Sequence, residues 1–394
     1  MPPLYFDHNS TTAPAPEVVD AMVEMLRTTW ANPSSVHRFG QDARRRVELA
    51  RESVARLIQA KPAEIIFTSG GTEADNLAIY GVVRRRTDRR TIITTRIEHS
   101  AIREPLEALA AAGFTVLHAP LDENGVADTE GFRAVVAEHA SDVSLVTIQW
   151  ANNETGVIQP VESLARICRE VDPKIVFHTD ATQWVGKMPT DVTEAPIDLL
   201  TLSGHKFHGP KGAAALFVRR GVRLAAQHVG GPQERQRRGG TENTAGVVGL
   251  GVAAELARER IARGEAAACI QALRDHFEAR ILEAFPDCRV NSREARFGRL
   301  WNTSNIGFPR LEAEAILLLL SERGLYASAG SACSSGSLEP SPILRALGVP
   351  DEYAHGSVRF SFSHETTADE VEKGFELVAS VIERLRKATP VADK

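Results

Sequence analysis

Between residues 64 and 220 the chain alternates short apolar runs with longer stretches of mixed polarity. The runs are EIIFT (64–68), TIITT (91–95), FTVLHA (114–119), LVTIQW (145–150), IVFHT (175–179), DLLTL (198–202) and AALFVRR (214–220). Each has strand length, is rich in Ile, Val, Leu and Thr, and shows little polar alternation. Strands covered by helices on both faces read this way. The gaps at 72–85, 100–112, 129–140 and 160–171 have helical patterns. The expectation is an α/β domain around a mostly parallel seven-stranded sheet. Only a loop separates the last two runs, which leaves room for one of them to run antiparallel.

The flanks carry different patterns. Residues 14–29 and 41–59 read as helices; in the second, Val47, Ala50, Val54, Leu57 and Ile58 recur at helical spacing. A turn-rich ANPSSVHRFG lies between them. After the strands comes an Ala-, Arg- and Glu-rich stretch, 246–284, expected to be one long helix leading into a smaller α+β domain. That domain would hold WNTSNIGF (301–308), a helix at 311–322, SVRFSFS (357–363) and a final helix from 368. The division expected is an arm at 1–15 that joins the small domain, a large domain at 16–255 and a small domain at 256–394.

Composition narrows the class of protein. The 46 basic and 51 acidic residues give a net charge of -5, which argues against a nucleic-acid partner. The basic runs at 44–46 and 84–90 read as solvated helix ends. MPPLYFDHNSTTAP has neither a basic start nor an apolar core, so no signal peptide is expected. The longest apolar run, AILLLL (315–320), is too short to span a bilayer. Cysteines at 168, 269, 288 and 333 form no CxxC, so neither a cysteine metal site nor a redox pair is expected. A cytoplasmic protein with free thiols is the reading.

Ligands of parallel α/β sheets bind at the carboxyl ends of the strands, so candidate chemistry is sought in the loops after each run. TSGGTEADN (68–76) places Gly71 and Thr72 at a helix start, where backbone N–H groups suit a phosphate; a plain turn capped by Thr72 reads equally well. His99 follows the second run. Asn152 and Asn153 follow the fourth, where amides can bind a carboxylate or shape an Asx turn. Asp180 ends the IVFHTD run and can hold a cationic partner or cap a helix. SGHKFHGPKG (203–212) places Lys206 after a buried-looking strand, where desolvation would make it a nucleophile or base. Lys206 and Asp180 together fit pyridoxal phosphate, one amine for the Schiff base and one carboxylate for the pyridine nitrogen. Thr72, Ser203 and His205 would then take the phosphate. Arg359 lies inside an apolar run and needs a partner, either a substrate carboxylate or an internal acid. Cys333 lies in SAGSACSSGSLEP (328–340), among small polar residues unsuited to a core thiol.

In order along the chain, YFDHNSTT, NPSSVHRFG, TSGGTEADN, EHSA, NNETG, DATQ, SGHKFHGPKG, RRGGTENTAG, SSGSLEPS and SVRFS resemble the cysteine desulfurases, in particular their NifS-like branch. These are pyridoxal-phosphate enzymes of the aspartate-aminotransferase fold type (fold type I). The resemblance implies a homodimer that converts L-cysteine to L-alanine and leaves the sulfur on an enzyme cysteine as a persulfide. An iron–sulfur scaffold or another acceptor protein would take that sulfur, for nitrogenase or for general supply. A selenocysteine lyase or an aminotransferase on the same fold is the alternative. Residue by residue, the resemblance makes Lys206 the cofactor lysine, Asp180 the partner of the pyridine nitrogen and Gln183 that of the phenolic oxygen. His99 would stack on the ring. Gly71, Thr72, Ser203 and His205 would hold the phosphate, joined by Thr241 of the other subunit. Asn152 and Arg359 would grip the substrate carboxylate, and Cys333 would accept the sulfur. The chain departs from the family pattern at His8 and Ser10, in GGPQERQ (230–236) and in AAAL (213–216).

Overall fold

The computed structural model describes residues 3–329 and 339–388, the side chains of 265 and 266 aside. Its strands are, in chain order, β1 (Leu4–Tyr5), β2 (Ile65–Thr68), β3 (Thr91–Thr94), β4 (Thr115–His118), β5 (Val143–Thr147), β6 (Val176–Asp180), β7 (Leu199–Ser203), β8 (Ala214–Val218), β9 (Arg289–Val290), β10 (Thr303–Gly307), β11 (Leu325–Tyr326) and β12 (Ser357–Ser361). Seven of them form one sheet in the order β2-β8-β7-β6-β5-β3-β4. All its pairings are parallel except those of β8, which runs antiparallel to both β2 and β7.

Side-chain alternation explains why the runs looked apolar throughout. Ile66, Ile92, Leu145, Val176, Leu199 and Leu216 face one core, together with the helices Gly71–Val83 and Ser100–Ala111. The intervening Ile65, Phe67, Ile93, Val146, Phe177, Leu200 and Phe217 face the other. Successive strand residues point to opposite faces, so a sheet buried on both faces loses its polar positions. Strand order reverses between β3 and β5: the chain moves outward to β4 on one side and through β6 and β7 on the other. Such a reversal opens a crevice at the carboxyl ends of the two strands.

A second core forms around the antiparallel sheet β12-β10-β9. Phe6, Phe277, Phe360 and Phe362 pack edge to face in it, with ring centroids 4.9–6.1 Å apart. Phe6 comes from the N-terminal arm, whose β1 pairs with β11. The arm therefore runs from this core toward the carboxyl ends of the large sheet.

The stretch 246–284 is not one helix. Thr244–Arg263 and Glu265–Ala284 are separate, broken at Gly264, whose φ of +70° is the left-handed conformation that ends a helix. The expectation missed that glycine because both sides keep a helix-favouring composition.

Candidate active site

The loops at the carboxyl ends of β3, β5, β6 and β7, together with the start of helix Gly71–Val83 and the arm, surround a cavity of about 540 Å³. Gly71, Thr72, His99, Asp180, Gln183, Ser203, His205, Lys206 and Arg359 all line it. Asn152 and Thr241 do not, and Cys333 lies outside the described residues. A larger cleft of about 950 Å³ opens at the other end of the same strands, lined by Arg85, Arg86, Arg169, Arg220 and Arg223. None of the candidate residues reaches it.

Lys206 closes a single turn, Gly204–Lys206, directly after β7. The loop folds back so tightly that a Cβ on Gly209 would lie 2.8 Å from Gly204 O, which requires glycine there. Lys206 Nζ donates to the carbonyls of Asn9 (2.7 Å) and Ser10 (2.8 Å), so the arm holds the amine at the cavity wall. Asp180 is the last residue of β6. Its Oδ1 accepts from Thr182 N at 2.9 Å, a local turn that aims the carboxylate. Turn and cavity roles therefore coexist.

His99 caps helix Ser100–Ala111, its Nδ1 accepting from Ala101 N at 3.1 Å. Burial pushes its pKa down against the pull of Asp180. The ring is thus neutral, and its hydrogen is assigned to Nε2 because Nδ1 is the acceptor. Burial likewise pushes His205 down to about 4, with the charge of Lys206 adding to the effect. Thr72 is not a helix cap; the cap position belongs to Gly70, and no side chain caps that end. The first-turn N–H groups of this 13-residue helix therefore face the cavity as an anion site, beside Ser203 and His205.

The two neighbouring amides have separate roles. Asn152 Oδ1 accepts from Glu154 N and Thr155 N, both at 2.8 Å, and its Nδ2 donates to Ile97 O at 3.0 Å. Its carboxamide is consumed by an Asx turn and is fully buried. The expectation that Asn152 grips a substrate fails for that reason. Asn153 lines the cavity instead. Its carbonyl accepts from Arg359 Nη1 (2.9 Å), and its buried Oδ1 has no hydrogen-bond partner among the described residues. Arg359 Nη2 meets Asp7 Oδ1 and Ser10 Oγ, each at 2.7 Å, so the internal acid is present. Thr241 is exposed.

Several residues escaped the sequence reading. Asp75, Glu98 and Glu154 are buried carboxyls at the cavity. Burial, with the charge of Asp180 adding to it, raises Asp75 and Glu98, the latter to about 8; burial alone raises Glu154 to about 7. Glu154 Oε2 accepts from Ser341 Oγ at 2.7 Å. Ser341 caps the helix Pro342–Ala346, close after the span that holds Cys333. Asn9 is the hub of the arm. Besides Lys206 Nζ, it binds Gln183 Nε2 through its carbonyl (2.9 Å), Lys187 Nζ through Oδ1 (3.0 Å) and Thr303 Oγ1 through Nδ2 (2.8 Å). Glu98 sits beside His99 in the same loop, and that adjacency is the signal that could have singled it out.

This set fits pyridoxal phosphate. It offers an amine, a carboxylate at a strand end, a neutral imidazole, and an uncapped helix N-terminus with a hydroxyl and a second imidazole beside it. Fold and site define an α/β enzyme whose candidate cofactor pocket lies at a topological switch point. The chain belongs to the aminotransferase class-V family, whose model matches residues 4–373. It is 45% identical over 390 residues to a cysteine desulfurase of Trichormus azollae, covering 99% of this chain and 95% of the relative. It is 44% identical over 391 residues to cysteine desulfurase NifS of Azotobacter vinelandii, with the same coverage. A NifS-like protein of known structure superposes with a TM-score of 0.90 at 35% identity, over 97% of this chain and 100% of that one. The solved structure of SspA in complex with cysteine gives a TM-score of 0.77 at 32% identity, over 92% and 99% of the two chains.

Proposed function

We propose that this protein is a pyridoxal-phosphate-dependent cysteine desulfurase that moves the sulfur of L-cysteine onto its own Cys333 and releases L-alanine. The observation that carries the reading is the convergence of Lys206, Asp180 and His99 on one cavity that also offers an anion site. Lys206 would tether the cofactor, Asp180 would face its ring nitrogen, and Gly71, Thr72, Ser203 and His205 would take its phosphate. When bound, the cofactor would supply an electron sink for the substrate's α-carbon. Arg359 is the cation placed to meet the substrate carboxylate. Asn153, rather than Asn152, is the amide placed to assist it. Lys206 Nζ, once freed, would carry the α-proton. The Cys333 thiolate would attack the substrate sulfur. The S–S bond forms as the C–S bond breaks, Cys333 is oxidised to the persulfide, and the substrate carbon is reduced and protonated to alanine. No external oxidant is needed.

The partners belong to the same proposal. Val19, Val23, Leu26 and Trp30 lie exposed along the helix Pro16–Thr28 and just beyond it, at the spacing of one face. A second copy is the occupant that would also bring Thr241 to a neighbouring site. The sulfur would pass to an acceptor protein serving iron–sulfur assembly. No described helix is long and apolar enough to cross a membrane, and a cytoplasmic enzyme is proposed. The arm, large and small domains are proposed at 1–15, 16–255 and 256–394.

The test is to supply the protein with pyridoxal phosphate and L-cysteine and follow both products. The expected result is one alanine per sulfur, with the persulfide found at Cys333 by peptide mass spectrometry. Cys333→Ser is expected to take up cofactor and form no persulfide. Normal sulfur loading in that variant would refute the acceptor assignment.

A further inference from the structure

Lys187 is a buried lysine behind the cavity, outside its lining. Its Nζ donates to Gln183 Oε1 at 2.7 Å and to Asn9 Oδ1 at 3.0 Å. Among the described residues it has no carboxylate within ion-pair distance. Its charged or titratable neighbours are Lys206, Arg359, His8 and His208. Burial, then the charges of Lys206 and Arg359, push its pKa far down. Its N–H groups thus meet two oxygen acceptors, Gln183 Oε1 and Asn9 Oδ1.

An amine of this kind decides which way a neighbouring carboxamide points. Gln183 lines the cavity and has a carbonyl end and an amino end that differ only in hydrogen-bonding role. With Oε1 held by Lys187, Nε2 is turned to Asn9 O at 2.9 Å, on the wall shared with Lys206. The flipped carboxamide would set Oε1 against the Asn9 carbonyl, which keeps its bond from Lys206 Nζ, and leave Oε1 without a donor in a buried place.

We propose that Lys187 is a positioning residue: it fixes Gln183 so that a hydrogen-bond donor, not an acceptor, is presented to the phenolic oxygen of pyridoxal phosphate. This rests on the cofactor reading above. Loss of that donor raises the basicity of the phenolic oxygen and with it the pH at which the bound cofactor's visible absorption changes.

The experiment compares wild type, Lys187→Met, Gln183→Ala and the double variant, each purified as apoprotein and titrated with pyridoxal phosphate. Two quantities are read, the dissociation constant and the pH midpoint of the visible band. Lys187→Met is expected to weaken cofactor binding about tenfold, the value of one buried charge-free hydrogen bond, and to move the midpoint upward. In the Gln183→Ala background the same change is expected to leave the midpoint where Gln183→Ala alone puts it. Lys187→Gln keeps a donor but reaches less far. It is expected to give a smaller upward move, and it carries the test if Lys187→Met does not fold. A wild-type midpoint in any folded Lys187 variant overturns the inference, as does a move that persists without Gln183. Failure of the wild type to take up pyridoxal phosphate instead sinks the cofactor reading itself.

Discussion

Glu98→Gln tests the electrostatics of the cavity most directly. Glu98 is 2% exposed, its Oε1 accepting from Thr95 Oγ1 at 2.6 Å and its Oε2 from Gln149 N at 2.9 Å. Burial raises its pKa from 4.5 to about 8, with the charge of Asp180 helping and the two hydrogen bonds opposing. A carboxyl raised in the folded state contributes stability that is complete below its unfolded pKa and is lost as pH rises through the folded one. At about pH 6.5 the native group is about 97% protonated and the unfolded group about 1%. Unfolding therefore releases about one proton from this residue, and stability falls by about 1.4 kcal/mol per pH unit on its account between about pH 5 and 8. Glutamine has no such proton. Unfolding wild type and Glu98→Gln by denaturant in weakly buffered solution, with the released acid titrated, is expected to show a difference of about one proton. The stability of the variant is expected to decline less steeply with pH by the slope just given. Equal proton release would mean that Glu98 is ionised when folded, and the account of Glu98 as a carboxyl raised by burial would fall. Charge is conserved in the exchange near neutral pH, so cofactor uptake is expected to survive it.

Arg359→Lys keeps a cation near Asp7 but loses the planar fork. It is expected to raise KM for L-cysteine about tenfold or more, by the worth of a charge-assisted hydrogen bond, with cofactor uptake retained; an unchanged KM in steady-state assays would move the carboxylate site elsewhere. Glu234→Ala breaks a buried bidentate pair, both oxygens lying 2.8 Å from the Arg51 guanidinium and one 2.9 Å from Phe67 N. It is expected to cost about 3–5 kcal/mol in chemical denaturation. A loss under about 1 kcal/mol, the value of a surface pair, would show that the pair does not hold its loop. Glu234, Arg235 and Gln236 all have positive φ, and such backbone persists only where its surroundings impose it.

Much of the large sheet was legible because its cause is local. Seven runs with both alternate positions apolar require two covered faces, and the helical gaps supply the covers. The connection too short for a helix left one of the last two runs free to be antiparallel, and that strand is β8. The break at Gly264 was not legible, since a lone glycine within helix-favouring sequence is a C-cap only if the chain must turn there, and that is decided by where the second core sits. Residues at strand ends were found for the same reason as the strands: a polar residue directly after a buried run has few places to go except the ligand crevice.

What the chain's order could not reveal is which polar groups satisfy one another across distance. Asn152 and Asn153 are adjacent and chemically identical, yet one is spent on the N–H groups of Glu154 and Thr155 while the other faces the cavity. The Asx turn that separates them is a two-residue matter, but it becomes binding only because Ile97 O, 55 positions away in sequence, accepts from the amide nitrogen as well. Lys187 is the stronger case. It sits four residues after Gln183 and reads as an ordinary helix-spaced cation, whereas the arm brings Asn9 to it from 178 positions away. With Asn9 present, a buried amine has two acceptors and, among the described residues, no carboxylate at ion-pair distance, and desolvation pushes its pKa well down. The arm thus acts on the site through hydrogen bonds to Lys206, Gln183 and Lys187 at once. The departures at His8 and Ser10 flank that one asparagine, so they can alter how the arm is seated while leaving the donors and acceptors of Asn9 unchanged.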